Sequence, residues 1–221
     1  VEISSEAAGR RTLSFLFNAE FRAFVAARCA AFQREAVTTD AALKRAAVAV
    51  IVAATDDGSD RAGFILTERP SGMRRHANQF ALPGGRCDEG ETVVQAALRE
   101  IEEEIGLKLT EENVLGTLDD FPTRSGYLIS PVVVWAQQSA PLRLSPEEVA
   151  EVYRIPLDGF VTKDTVSFVS IEESPRPVIR IELMGYHLHA PTAAIIYQFC
   201  ELLEGRVARV SDFEQPLFAW R

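Results

Sequence analysis

The stretch Gly84–Leu107, GGRCDEGETVVQAALREIEEEIGL, decides how the rest of the chain is read. Within it, Thr92–Ile105 carries Val94, Ala97, Leu98, Ile101 and Ile105 at the spacing of an amphipathic helix, and Gly106 stands where a C-terminal cap belongs. At about 100° of rotation per residue, Glu100, Glu103 and Glu104 share one face of that helix, which the spacing sets roughly opposite the apolar stripe. Like charges so arranged repel by roughly 0.2–0.5 kcal/mol per pair, and a cation between them relieves that repulsion. Hard divalent ions such as magnesium or manganese take oxygen ligands and bridge carboxylates to phosphates. Taken alone, an acidic run on a helix is more often a solvated face. The flanking residues shift the balance: Pro83-Gly84-Gly85 opens a tight loop whose glycines let backbone approach a ligand closely, and Glu91 and Arg99 bracket the acids.

Working outward, Ala46–Ala54 is a β-branched run of buried-strand type, and the turn Asp56–Asp60 joins it to a second strand, Gly63–Glu68, as a hairpin. Further strands are expected at Val114–Leu118, Val132–Gln137, Glu151–Ile155, Val166–Val169 and Val178–Leu183. A last helix, Thr192–Leu203, follows Pro191 and ends at Gly205. Near the start, Phe21, Phe24, Val25, Arg28 and Phe32 recur at helical spacing behind Asn18, a candidate N-cap. Strands interleaved with a few helices and joined in places by hairpins indicate a mixed α/β sandwich, not a doubly wound parallel sheet. The aromatic residues Phe15, Phe17, Phe21 and Phe24 either cap that sandwich or form a homodimer contact, and periodicity leaves both open.

Composition narrows the function classes. A formal charge of −9 over 221 residues speaks against a general affinity for nucleic-acid backbone, so any phosphate must be handled locally. No run approaches the length of a membrane span. Arg10-Arg11 before Leu13–Phe17 imitates a signal sequence, but the apolar run stops at Asn18. Three cysteines without paired spacing suggest neither a disulfide framework nor a zinc site, and the expected compartment is the reducing cytoplasm. With His76, His187 and His189 the only histidines, a histidine-based covalent mechanism is thinly supported.

Gly85, five residues, Glu91, seven residues, then Arg99-Glu100, Ile101, Glu102, Glu103-Glu104, Ile105, Gly106 and Leu107 resemble the Nudix box at each of its defined positions. The resemblance implies a Nudix-type α/β/α sandwich with a mixed sheet over residues 44–205, an N-terminal helical extension over 1–43 and a C-terminal tail over 206–221. It implies hydrolysis of a phosphoanhydride bond with magnesium or manganese as cofactor. Glu100, Glu103 and Glu104 are then metal ligands, the Gly84 carbonyl completes the shell, and Arg99 holds the carboxylates through ion pairs with Glu91 or Glu100. The proton acceptor is left open among the box glutamates and Glu147, Glu148 and Glu151, with Glu148 preferred; Ser145-Pro146 marks a turn that can aim these acids inward.

A second resemblance concerns the substrate. Ile65-Leu66-Thr67-Glu68-Arg69, then Arg74, Gln79 and Pro83-Gly84-Gly85, look like the signature of coenzyme A diphosphatases, and similar segments extend from about Lys44 to about Leu203. This implies cleavage of coenzyme A or an acyl derivative to 3′-phospho-ADP and a 4′-phosphopantetheine moiety, with Arg69, Arg74 and the close-approach Gly85 as substrate contacts. Pro70, Asn78 and Leu82 depart from that signature. They favour the alternative of ADP-ribose, a dinucleotide or a nucleoside triphosphate. A third reading, a non-catalytic nucleotide-sensing domain, fits less well because no box acid is lost.

Overall fold

The computed structural model describes residues 15–37, 43–71, 79–137, 141–158, 160 and 164–220. In chain order the elements are α1 (Ala19–Ala31), β1 (Lys44–Ala54), β2 (Ala62–Glu68), β3 (Phe80–Ala81), β4 (Gly84–Arg86), α2 (Val93–Ile105), β5 (Val114–Thr117), β6 (Phe121–Pro122), β7 (Tyr127–Trp135), β8 (Glu151–Pro156), β9 (Val166–Ile171), β10 (Ser174–Leu183), β11 (Tyr186–His189) and α3 (Thr192–Leu203).

β1 is the axis of an eight-stranded mixed sheet. Its Ala47, Ala49, Ile51 and Ala53 belong to one hydrophobic cluster, while Val50 and Val52 belong to another, as the two-residue period of a strand requires. A strand covered on both faces reads as an unbroken apolar run, which is how this one appears in the sequence. β1 runs parallel to β7, with Val48 beside Pro131, and its far end forms the expected hairpin with β2 at Val52 and Phe64. β8 follows the outer edge of β2, and β5 and β6 pair with β7.

The feature that builds the site is a splay between β1 and β2. Their pairing is confined to the hairpin end; beyond it the chain from Phe80 to Arg86 enters the gap, with β3 antiparallel to β2 and β4 antiparallel to β1. Between these two short strands, the Pro83 carbonyl accepts from the Ala49 N–H at 2.8 Å. Gly84 has a φ of +152°, and a Cβ there would stand 2.2 Å from the Ala47 carbonyl oxygen, so only glycine allows this close approach.

α2 covers one face of the sheet, packing Ala96, Ala97, Ile101 and Ile105 on Ala47, Ala49 and Ile51. α1, α3 and the three-stranded sheet β11-β10-β9 cover the other, with Phe21, Val25, Phe199, Ile179 and Ile181 in one continuous cluster. The result is an α/β/α sandwich. The helix read from sequence as an extension is therefore part of a layer: Asn18 caps it by accepting from the Phe21 N–H at 2.8 Å, and Phe15 and Phe21 are buried. Phe17 lies flat on Trp135, with ring centroids 4.2 Å apart, so these aromatics cap the sandwich. The segment read as a tail also joins the core through Val210 and Phe213.

β7 begins at Tyr127, not at Val132, because the strand continues through Pro131, whose carbonyl accepts from the Leu118 N–H at 3.0 Å. Among the described residues no helix is long and apolar enough to cross a membrane. Cys29, Cys87 and Cys200 are all free.

Candidate metal centre and active site

α2 is fixed at both ends by its own sequence. The Thr92 hydroxyl accepts from the Gln95 N–H at 3.2 Å, the Gln95 side chain accepts from the Thr92 N–H at 3.0 Å, and Gly106 closes the helix in the left-handed conformation. This fixes where the helix begins and ends. The expectation that the acids lie opposite the apolar stripe is corrected here. Glu104 is only 5 % exposed, and the Glu100 side chain only 12 %, whereas the Glu103 side chain is 55 % exposed. The small Ala96 and Ala97 let the helix sit close to the sheet, so the buried face is wide enough to include Glu100 and Glu104.

Both inward carboxylates meet the glycine pair of β4. The Glu100 carboxylate occupies the space a side chain at Gly85 would need, with Oε1 2.3 Å from the Cβ position. Glu104 takes a backbone hydrogen bond from Gly84. The third acid comes from a distant loop. The C-terminal carbonyls of α2, which no helical turn satisfies, accept from that loop: Ile105 from the Arg143 N–H and Glu104 from the Ser145 N–H, both at 2.9 Å. From Ser145 a turn follows, its carbonyl accepting from Glu148 at 3.0 Å and from Val149 at 2.8 Å. Thus the backbone of Glu104 anchors the turn that delivers Glu148. One oxygen from each of Glu100, Glu104 and Glu148 lies within 4.8 Å of the others. Glu103 is not in this group, and Glu147 and Glu151 are both exposed.

Arg99 ties the helix to the loop before it. Its Nε and Nη2 donate to Glu91 at 3.0 and 3.1 Å, its Nη1 to Glu100 and Glu103 at 2.9 Å each, and its Nη2 also to the Arg86 carbonyl at 2.9 Å. Both expected partners, Glu91 and Glu100, are present, together with Glu103. Glu91 accepts in addition from the Asp88 N–H at 2.8 Å. Its hydrogen bonds to Arg99 hold its pKa below the ordinary carboxylate range.

The charge balance at the centre is unfavourable without an added cation. Burial pushes the Glu104 pKa up to about 8, and Glu100 and Glu148 add to the rise; the Gly84 hydrogen bond and the charge of Arg69 oppose it. Glu100 is raised as well, chiefly by burial, against the pull of Arg99. Glu104 Oε2 is buried with no hydrogen-bond partner among the described residues, a costly arrangement for a carboxylate. Three converging carboxylates with one orphaned oxygen suit a hard divalent cation.

Arg69 follows the last residue of β2, and its N–H donates to the Gln79 carbonyl at 3.1 Å. Its side chain acts electrostatically on Glu104, and its Nε is buried and unpartnered among the described residues. Arg74, His76 and Asn78 lie outside the described residues. Leu82 is buried in the cluster on the α1 and α3 face, so its departure from the expected phenylalanine changes core packing, not a lining of the carboxylates. The Ser145-Pro146 turn and the preference for Glu148 were read from sequence; what that reading missed is that the Arg143–Glu148 loop docks on the end of α2, for which the sequence carries no local signal.

The model of the NUDIX domain matches residues 43–173. The chain belongs to the NUDIX domain family. Among relatives, a protein named Nudix hydrolase NudL from Escherichia coli O6:H1 is 41 % identical over 96 residues, covering 43 % of this chain and 50 % of that one. A NudL protein from Photorhabdus laumondii is 30 % identical over 145 residues, covering 64 % and 77 %. The chain thus spans half the length of the first of these Nudix relatives. A solved MutT/nudix family protein from Enterococcus faecalis aligns with a TM-score of 0.45 at 21 % identity, over 66 % of this chain and 54 % of that one.

Proposed function

We propose that this chain hydrolyses a phosphoanhydride bond in a nucleoside diphosphate derivative, with a divalent cation held by Glu100, Glu104 and Glu148. The observation that carries the proposal is the buried, unpartnered Glu104 Oε2 at the centre of three converging carboxylates. A bound magnesium or manganese ion supplies neutralisation of the phosphate charge and an acidified water. Gly84 keeps backbone close to the carboxylates, with its carbonyl as a further ligand. Arg99 acts as a positioning residue, because Glu100 and Glu103 are both tied through it to the loop at Glu91. Glu148, the exposed member of the trio, takes the proton of the attacking water. Arg69, whose charge acts on Glu104, binds the phosphates of the anhydride.

Coenzyme A or an acyl derivative is the substrate this reading favours, supported by the Thr67, Arg69 and Pro83-Gly84-Gly85 spacing. The test is a panel of coenzyme A, acyl-coenzyme A, ADP-ribose, a dinucleotide and a nucleoside triphosphate at saturating magnesium and manganese, with products identified by mass. Release of 3′-phospho-ADP is the expected result. Rapid turnover of ADP-ribose with none of coenzyme A would move the substrate assignment, and full activity in excess chelator would sink the metal mechanism.

A further inference from the structure

Between Pro141 and Ala150 only Val149 is buried, at 2 % exposure; Glu147 and Glu148 before it and Ala150 after it are exposed. Its side chain belongs to the cluster that contains Ile101 and Ile105 of α2 and Ile65 of β2, and Leu142 packs against the same cluster from the other end of the loop. Backbone hydrogen bonds close around it. The Val149 N–H donates to the Ser145 carbonyl at 2.8 Å, and the Ser145 N–H is itself held by the Glu104 carbonyl. On the other side the Ala150 N–H donates to the Glu68 carbonyl at 2.8 Å, one residue before Arg69. The segment thus bridges the end of α2 and the end of β2, with one apolar side chain driven into the core between the two anchors.

Glu148 has nothing of its own to hold it at the centre. Its carboxylate accepts no hydrogen bond among the described residues, yet one of its oxygens lies within 4.8 Å of oxygens of Glu100 and Glu104. Like charges so close repel, and a glutamate side chain left to itself turns toward solvent. What the fold fixes is the direction in which the side chain leaves the backbone. Val149 is branched at Cβ and has few rotamers, so burying it fixes the backbone of the turn on which Glu148 stands. Plain filling of the core would explain why Val149 is buried. It leaves unexplained why the one buried residue of this loop adjoins the one loop acid that reaches the trio, while Glu147 and Glu151 do not.

We propose that Val149 is a positioning residue for the reaction: locked in the cluster beneath α2, it aims the Glu148 carboxylate at Glu100 and Glu104. That role rests on the hydrolysis proposed above and names what holds its proton acceptor in place. Val149 touches neither the ion nor the substrate and acts only through its neighbour.

The experiment is a double-mutant cycle between Val149 and Glu148, read by manganese titration of the substrate-free protein and by steady-state kinetics on the substrate panel. V149A should weaken manganese binding about tenfold and lower kcat about 10–100-fold, with KM changed less than about threefold. In the E148Q background the same substitution should change either quantity less than about twofold, because the group it aims is already disabled. V149T keeps the branch at Cβ and should stay within about threefold of the parent, although its buried hydroxyl lowers the melting temperature. V149L keeps the core filled but moves the branch to Cγ, and it should show the coupling of V149A at reduced size even if V149A does not fold. V134A opens a cavity in the same cluster on β7, which β1 and β2 separate from β8, and should leave manganese affinity and kcat at the parent's values. Parent-like manganese binding in both V149A and V149L, or an equal loss from V149A in the two backgrounds, would overturn the inference. Failure of the hydrolysis reading shows differently, as no turnover of any panel substrate while the coupling in manganese affinity persists.

Discussion

Glu214 and Glu104 are both buried, 2 % and 5 % exposed, and the protein treats them in opposite ways. Glu214 accepts from Arg124 and Arg176 at 2.6 Å each, from the Ser174 hydroxyl at 3.0 Å and from the Gln215 N–H at 2.9 Å. Burial alone would raise its pKa, but these donors hold it near 2. Glu104 faces two other carboxylates, keeps an oxygen without a partner and is pushed up to about 8. The chain is able to satisfy a buried carboxylate with its own cations. Where it leaves one unsatisfied beside two more acids, the arrangement suits a charge supplied from outside.

The largest effects should come from the acids of the unsatisfied group. E104Q and E148Q should each lower turnover by about 10²–10⁴-fold, since each removes charge from the ion-holding set. Glu103 is exposed and occupied with Arg99, so E103Q should cost at most about tenfold. Steady-state rates of the three variants decide this. If E103Q proved as damaging as E104Q, Glu103 and not the loop residue Glu148 would be the third ligand.

Next in size is Arg99, which touches the comparison indirectly. R99A frees Glu91 and Glu100 together, and the affinity for manganese should fall about 10–100-fold. A titration indistinguishable from that of the parent would remove the positioning role.

Smaller again is the effect of E214Q, which breaks the satisfied network. It should lower unfolding stability by about 2–3 kcal/mol in urea, the screening of the partly exposed Arg124 and Arg176 keeping it below the cost of a fully buried pair. Manganese affinity should not change. An altered affinity would mean that the two buried glutamates are coupled and the contrast between them is false.

What the sequence made legible follows the same division. α2 and its carboxylates could be placed because their signals are local: Thr92 and Gln95 at one end, Gly106 at the other, and an apolar period between them. The hairpin of β1 and β2, the capping by Asn18 and the span of α3 were readable for the same reason. β3 and β4 were not, because strands of two and three residues exist only where β1 and β2 splay. The inward turn of Glu104 depended on how closely Ala96 and Ala97 let the helix approach, which periodicity does not measure. Glu214 gave no signal at all, since its partners Arg124 and Arg176 stand 90 and 38 residues away in the chain.

Thermal melting of the chelated protein across pH tests the central claim most directly, that the unsatisfied Glu104 belongs to a cation. The folded pKa of about 8 lies above the ordinary 4.5, so the native state holds an extra proton between those values, and stability present at the acid end is lost as pH rises through this window. The expected result is a midpoint that falls over that range in chelator, is restored at its upper end by magnesium, and shows neither the added slope nor the magnesium response in E104Q. A parent protein and an E104Q variant with the same pH dependence and the same response to magnesium would contradict it.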